Sequence, residues 1–239
     1  MKTILNFGAG VNSTALIIEM VNRGIRPDYV IFADTGSEMP ETYQHIKRME
    51  KWFESNNLQF IKVESKYGKS LYDYYFERGL VPSRQFRDCT DKFKKQPILK
   101  FLKQFKAEGV KQYIGIGYDE PSRIRQSEIK WIEFAYPLWE WKITRDKCIE
   151  IIKKAGLEVP VKSGCFMCPF QDIDSWKALW KKHKDLFAKA RSMEEQEKRY
   201  PEITLTWNRN LKAFEHAWKT QTTLFVYNEG SLCSGWCMT

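Results

Sequence analysis

Three cysteines have the type and spacing to do chemistry. Cys165 and Cys168 form the C-x-x-C of Gly164-Cys165-Phe166-Met167-Cys168-Pro169, and Cys89 lies far upstream in Arg84-Gln85-Phe86-Arg87-Asp88-Cys89-Thr90. A C-x-x-C brings two thiolates within reach of one metal or one disulfide, and soft sulfur ligands favour iron–sulfur clusters or zinc. Six cysteines in 239 residues are too few and too uneven for a secreted disulfide scaffold. Metal or redox chemistry in a reducing compartment is the better expectation, with Cys89, Cys165 and Cys168 as ligands; three thiols that hold no metal are the plainer alternative. The nearby Arg84, Arg87, Lys94 and Lys95 are expected to lower the Cys89 thiol pKa and to favour an anionic substrate.

The second chemical feature is the turn Gly8-Ala9-Gly10-Val11-Asn12-Ser13 between the first strand and the first helix. Its backbone N–H groups and the helix N-terminus would face an anion. One reading is a dinucleotide fingerprint, with Gly8 and Gly10 in the turn and Asp34 closing the second strand where a ribose-binding acid belongs. Against it, Ser13 stands where a third glycine is needed. The other reading is a pyrophosphate-binding loop of the Ser-Gly-Gly-x-Asp-Ser type. It keeps Ser13, and Gly8 and Asn12 stand for the usual serine and aspartate.

The elements that must position these groups alternate along the chain. Strands are expected at Lys2–Phe7, Tyr29–Ala33, Gln59–Val63, Gln112–Ile116 and Trp131–Phe134. Helices are expected at Ser13–Asn22, Glu41–Ser55, Asp91–Phe105, Thr144–Ala155, Asp174–Lys182, Lys184–Arg199 and Leu211–Lys219. A short helix carries Tyr72, Tyr74, Tyr75 and Phe76, Thr90 is a plausible N-cap, Pro97 interrupts its helix early, and Gly230–Thr239 reads as a mobile tail. Strand–helix alternation predicts an α/β fold, a Rossmann-like doubly wound, mainly parallel sheet with a helical C-terminal part. The division is residues 1–160, a nucleotide-binding domain, and 161–239, a cysteine-containing helical region and tail, the two forming one continuous unit.

Five motifs in order resemble the phosphoadenosine-phosphosulfate (PAPS) reductase-like family of the adenine-nucleotide alpha-hydrolase-like, or PP-loop, superfamily. They are Phe32-Ala33-Asp34-Thr35-Gly36 with Pro40-Glu41-Thr42; Arg87-Asp88-Cys89-Thr90 with Lys94-Lys95-Gln96-Pro97; Gly115-Ile116-Gly117 through Arg125; Tyr136-Pro137-Leu138 with Trp141; and Gly164 through Pro169 with Trp176. The match spans roughly residues 1–190. The resemblance implies ATP or a related adenine nucleotide bound by Gly8, Ala9, Gly10, Asn12, Ser13, Asp34, Gly117 and Arg125, with Mg2+. It also implies a 4Fe–4S cluster on Cys89, Cys165 and Cys168, with zinc as the alternative. Cys-Thr at positions 89 and 90, where adenylyl sulfate reductases have Cys-Cys, resembles the sulfur-transfer branch.

The expected activity is therefore adenylation of an acceptor with pyrophosphate release, followed by sulfur transfer. Alternatives are PAPS or adenylyl sulfate reduction, and a zinc-stapled, non-catalytic nucleic-acid-binding protein. Arg123 would stabilise developing charge, and Cys233 or Cys237 would serve as the mobile nucleophile or as a fourth ligand. Cys148, on a predicted helix, is expected to pack in the core, and His45, His183 and His216 are assigned no chemistry. A net charge of +9 suits a tRNA or DNA acceptor, and a sulfur-donor protein or reductant is a further expected partner. No apolar run approaches the roughly 20 residues that cross a bilayer, and no signal peptide is visible, so the chain reads as cytoplasmic and without a membrane partner.

Overall fold

The computed structural model describes residues 1–197, 203–206 and 209–220. Five strands, β1 (Lys2–Asn6), β2 (Tyr29–Asp34), β3 (Phe60–Glu64), β4 (Val110–Ile114) and β5 (Ile132–Ala135), form one all-parallel sheet in the order β3-β2-β1-β4-β5. Helices cover it on both faces: α1 (Val11–Asn22), α2 (Pro40–Ser55) and α7 (Arg145–Lys154) on one, α5 (Gln96–Leu102) on the other. The fold is Rossmann-like α/β. The alternation of strand side chains explains the two layers. Leu5, Val30 and Phe32 pack with α1, α2 and α7, whereas their neighbours Ile4, Ile31 and Ala33 pack with α5. Cys148, fully buried on α7, belongs to the first layer.

From β1 the chain winds outward through β2 and β3, then returns past β1 to β4. The reversal lies between β1 and β4, where open α/β sheets leave a crevice beyond the strand ends. Two glycines close the backbones around it. A Cβ on Gly115 would lie 2.9 Å from the Ser13 amide nitrogen and 3.0 Å from its Cα. A Cβ on Gly117 would meet the Asp119 carboxylate at 2.6 Å.

The segment carrying Cys89 departs from the expected helix. It starts earlier, as α4 (Asp88–Thr90), widens into a π-helical turn (Asp91–Lys95), resumes as α5 and ends in a 3-10 turn (Lys103–Phe105). Thr90 is already helical, and the cap is Arg87, held left-handed at φ 48°. Pro97 has no N–H for the helical ladder, and the wider turn before it accommodates the ring without breaking the helix. Strand β4 begins and ends two residues before the expected span, because Gly115-Ile116-Gly117 turns out of the sheet.

A C-terminal layer builds on the same sheet. It holds α8 (Ile173–Lys182), α9 (Lys184–Gln196) and α10 (Leu211–Thr220), packed with α3 (Leu71–Phe76) around fully buried Trp176. Glu194 on α9 accepts backbone N–H bonds from Leu205 at 2.6 Å and Leu211 at 2.5 Å, which ties the last helix down. Between β5 and α7 lies the short α6 (Pro137–Glu140). Among the described residues no helix is long and apolar enough to cross a membrane.

Two outcomes follow from this packing. Gly115→Ala must push its new methyl against backbone that cannot rotate away, so stability in urea titration falls by about 1–3 kcal/mol. His45, 2% exposed with its Nε2 2.9 Å from Thr14 Oγ1, joins α2 to α1; burial first, then Arg48, lowers its pKa from 6.5 to about 4. The unfolded state therefore binds the proton first. The contribution of His45 is complete above pH 6.5 and is lost as pH falls from there toward about 4. Denaturation of a His45→Asn variant should show a shallower acid limb over that range.

Candidate active site at the sheet switch point

The loop Gly8–Ser13 leaves β1 at the crevice. Ala9 is left-handed, with φ 55°, and Gly10 caps α1 in an extended conformation. The Ser13 hydroxyl donates to the Gly10 carbonyl at 3.2 Å, and the Gly10 N–H donates to Ser13 Oγ at 3.3 Å. The loop is thus held in shape by its own serine, with the first N–H groups of a 12-residue helix directed at the crevice. Asn12 faces β4: its amide donates to Glu120 Oε2 at 2.9 Å, and the other Glu120 oxygen takes Arg123 at 2.5 Å. This Asn12–Glu120–Arg123 chain explains why the loop has asparagine at a position where an aspartate would repel Glu120. Arg125 is fixed through its backbone, since the Tyr136 hydroxyl donates to the Arg125 carbonyl at 2.7 Å and accepts from its N–H at 3.1 Å.

Asp34 closes β2 with one carboxylate oxygen engaged twice, by the Gly36 N–H and by the Tyr43 hydroxyl, both at 2.8 Å. Burial, reinforced by Asp34, pushes the Tyr43 pKa up, so the phenol stays a donor. Asp34 therefore shapes the turn after β2 as well as lying at the crevice.

The C-x-x-C segment crosses this turn. Glu38 and Cys165 form an antiparallel bridge, with Met39 N–H to Gly164 carbonyl and Phe166 N–H to Ser37 carbonyl both at 3.0 Å. A Cβ on Gly10 would lie 3.0 Å from Ser163 Oγ, so the residue two before the C-x-x-C rests on the nucleotide-type loop itself. Beneath the bridge is a buried polar group. Thr35 Oγ1 donates to Glu38 Oε1 at 3.0 Å; the Cys165 sulfur lies 3.3 Å from Thr35 Oγ1 and 3.6 Å from Glu38 Oε1; Lys94 reaches the same carboxylate oxygen at 3.4 Å. The Glu38 side chain is 2% exposed, and the Lys94 ammonium supplies its countercharge.

Cys89, Cys165 and Cys168 share one apolar cluster, built with Tyr75, Phe93, Phe166 and Trp176. The C-x-x-C turn is closed by Cys168 N–H to the Cys165 carbonyl at 3.0 Å. Two arginines hold the Cys89 loop against the same segment: Arg84 bonds the Pro169 carbonyl, and Arg87 stacks 4.4 Å from the centre of the Phe170 ring. Three thiols drawn to one apolar cluster suit a soft metal centre. Among the described residues, however, no three His, Cys, Asp or Glu side chains converge into a metal-holding group.

The expected electrostatic effect on Cys89 is reversed. Burial, then the Asp88 carboxylate, pushes its thiol pKa up, and Lys94 offsets only a smaller part. The cationic side chains are engaged elsewhere: Lys94 with Glu38, Arg84 and Arg87 with the Pro169-Phe170 segment. Burial and the adjacent Glu38 likewise push the Cys165 thiol well up.

Sequence reasoning missed Glu38, Glu120 and Ser163. The signal for Glu38 was slight, a lone acid just before the helix-opening Pro40; for Ser163 there was none, because only the fold lays it on Gly10. Cys233 and Cys237 lie outside the described residues, as does the expected tail Gly230–Thr239.

Residues 2–145 match the family model described as the phosphoadenosine phosphosulfate reductase domain. Two uncharacterised proteins of Methanocaldococcus jannaschii are relatives. One is 25% identical over 177 residues, 69% of this chain and 40% of the relative; the other is 24% identical over 198 residues, 77% and 39%. The chain thus spans about two-fifths of the length of these curated relatives. Among solved structures it is similar to the U34-tRNA thiolase NcsA of Methanococcus maripaludis with its 4Fe–4S cluster (TM-score 0.51, 17% identity, 82% of this chain and 72% of that one). It is also similar to the PAPS reductase of Candida auris in its phosphate complex (TM-score 0.50, 16% identity, 67% and 75%). At these identities the likeness is one of fold. The family model covers more than half of the sequence, and the chain belongs to the phosphoadenosine phosphosulfate reductase domain family.

Proposed function

We propose that the chain is an adenine-nucleotide-dependent sulfur-transfer enzyme that activates its acceptor by adenylation and releases pyrophosphate. One observation carries this reading: the cysteine segment rests on the nucleotide-type loop, with Ser163 against Gly10 and Cys165 bridged to Glu38. That contact supports a reading in which thiol chemistry and phosphate chemistry meet at one crevice.

In this reading the N–H groups of Gly8, Ala9, Gly10, Asn12 and Ser13 hold the ATP phosphates, with Mg2+ neutralising them and Asp34 and Gly117 beside the nucleoside. Arg123 and Arg125 face the anion as charge develops. An acceptor oxygen attacks the α-phosphorus, the new O–P bond forms, and the bond to the bridging oxygen of pyrophosphate breaks. A sulfur nucleophile, delivered as a persulfide or sulfide by a donor, then displaces AMP from the acceptor. Cys89, Cys165 and Cys168 would hold an iron–sulfur cluster, which supplies a site where sulfur can be bound and handed on. Cys233 and Cys237 are the proposed carriers or resolving thiols of the same step. Thr90 in place of a second adjacent cysteine favours transfer over reduction of PAPS or adenylyl sulfate. The +9 charge favours a nucleic-acid acceptor, tRNA or DNA. The proposed compartment is the cytoplasm.

Anaerobically purified protein should be brown and contain iron, and Cys165→Ser should lose both colour and iron while remaining folded by circular dichroism. Colourless protein carrying stoichiometric zinc would reject the cluster. Pyrophosphate should be released from ATP when tRNA is present, and sulfite should not be released from PAPS or adenylyl sulfate; the opposite pattern would reassign the chain as a reductase.

A further inference from the structure

A cavity of about 670 Å³ lies on the α5 face of the sheet, under the connection between β4 and β5. Parallel neighbours usually need a crossover helix. Here residues 115–131 supply only a 3-10 turn, Pro121–Arg123, so this part of the sheet lacks a helical cover. Its lining combines the apolar side chains of Leu99, Ile114, Ile129 and Phe134 with the cations Lys95, Arg123 and Arg125. Glycine-loop residues, Asp34 and the three cysteines do not line it. It is next to the nucleotide crevice, because Arg123 is joined through Glu120 to Asn12 of that loop.

A second recess of about 330 Å³ shares Asp91 and Lys95 with this cavity and is lined by Gln85, Phe86, Arg87 and Thr90, beside Cys89. Phe86 is 68% exposed, the most exposed of the large apolar side chains described. A largely apolar cavity with cations in its lining and an exposed ring on the adjoining recess fits a strand of planar bases joined by phosphates. Asp91 and Glu128 at the edges oppose phosphate, but they can accept from base amino groups or ribose hydroxyls.

We propose that the cavity receives one unpaired base of a single-stranded RNA acceptor, with Phe86 stacking a neighbouring base and Lys95 placed along the phosphates. This names the acceptor class for the adenylating site proposed above and rests on that reading. RNA is favoured over DNA because RNA loops present unpaired bases, whereas a DNA duplex must first extrude one at a cost.

The test is fluorescence anisotropy with a labelled single-stranded RNA oligonucleotide, alongside equilibrium dialysis with ATP, on wild type, Phe86→Ala and Leu99→Trp. Phe86→Ala should weaken RNA binding about tenfold. Leu99→Trp, which fills the cavity, should weaken it at least as much, and both should retain ATP binding. If Leu99→Trp loses ATP and keeps RNA, the cavity holds adenine and the proposal falls. It also falls if neither variant moves RNA binding, or if double-stranded DNA of the same sequence binds as tightly. RNA binding is read without turnover. A wild type that binds RNA through Phe86 and Leu99 yet releases no pyrophosphate upholds the cavity assignment and overturns adenylation alone.

Discussion

The structure depends on one short contact, the antiparallel bridge between Glu38 and Cys165. It joins the turn after β2 to the C-x-x-C, residues 127 apart in sequence. Its two flanking backbone hydrogen bonds fix the register, and the carboxylate beneath them receives Thr35, Cys165 and Lys94. A buried carboxylate without such partners would be strongly unfavourable. The burial of Glu38 therefore requires the Cys89 helix, through Lys94, and the cysteine segment to be in place together. Local folding at this point and assembly of the thiol-rich cluster are one event.

The fold was legible because its signals are local. Alternating apolar residues in β1 and β2, and Gly24 and Gly156 after their helices, specify a wound parallel sheet with little help from tertiary context. The glycine loop and the C-x-x-C were legible for the same reason, since tight turns constrain residue type. What remained hidden depends on approach between distant segments. Ser163 becomes informative only when it lies against Gly10, and Glu120 only when its two oxygens link Asn12 to Arg123. The basic residues near Cys89 misled the reading because proximity in sequence says nothing about where a long side chain ends. Lys94 serves Glu38, while Arg84 and Arg87 reach Pro169 and Phe170.

The Cys89 segment also carries the least regular backbone of the site. Arg87 is left-handed without being glycine, and a π turn follows within four residues. Both conformations are uncommon and tend to mark functional positions. Here the stacking of Arg87 on Phe170 offers a physical reason for the first, and Pro97 for the second. Together they set the start of the helix that carries Cys89 into the apolar cluster it shares with Cys165 and Cys168.

The helix-free crossover between β4 and β5 separates two kinds of change. Gly115 is locked by close approach to the backbone of Asn12 and Ser13, so a side chain there is disfavoured. Beyond it, the connection to β5 borders a cavity and is anchored at several points, by Tyr118 to Ile143, Glu120 to Asn12, and Tyr136 to Arg125. Under the proposed function, relatives built on this plan would vary what they accept at exposed positions such as Gln126 and Glu128, while Gly115 stays fixed against the glycine loop.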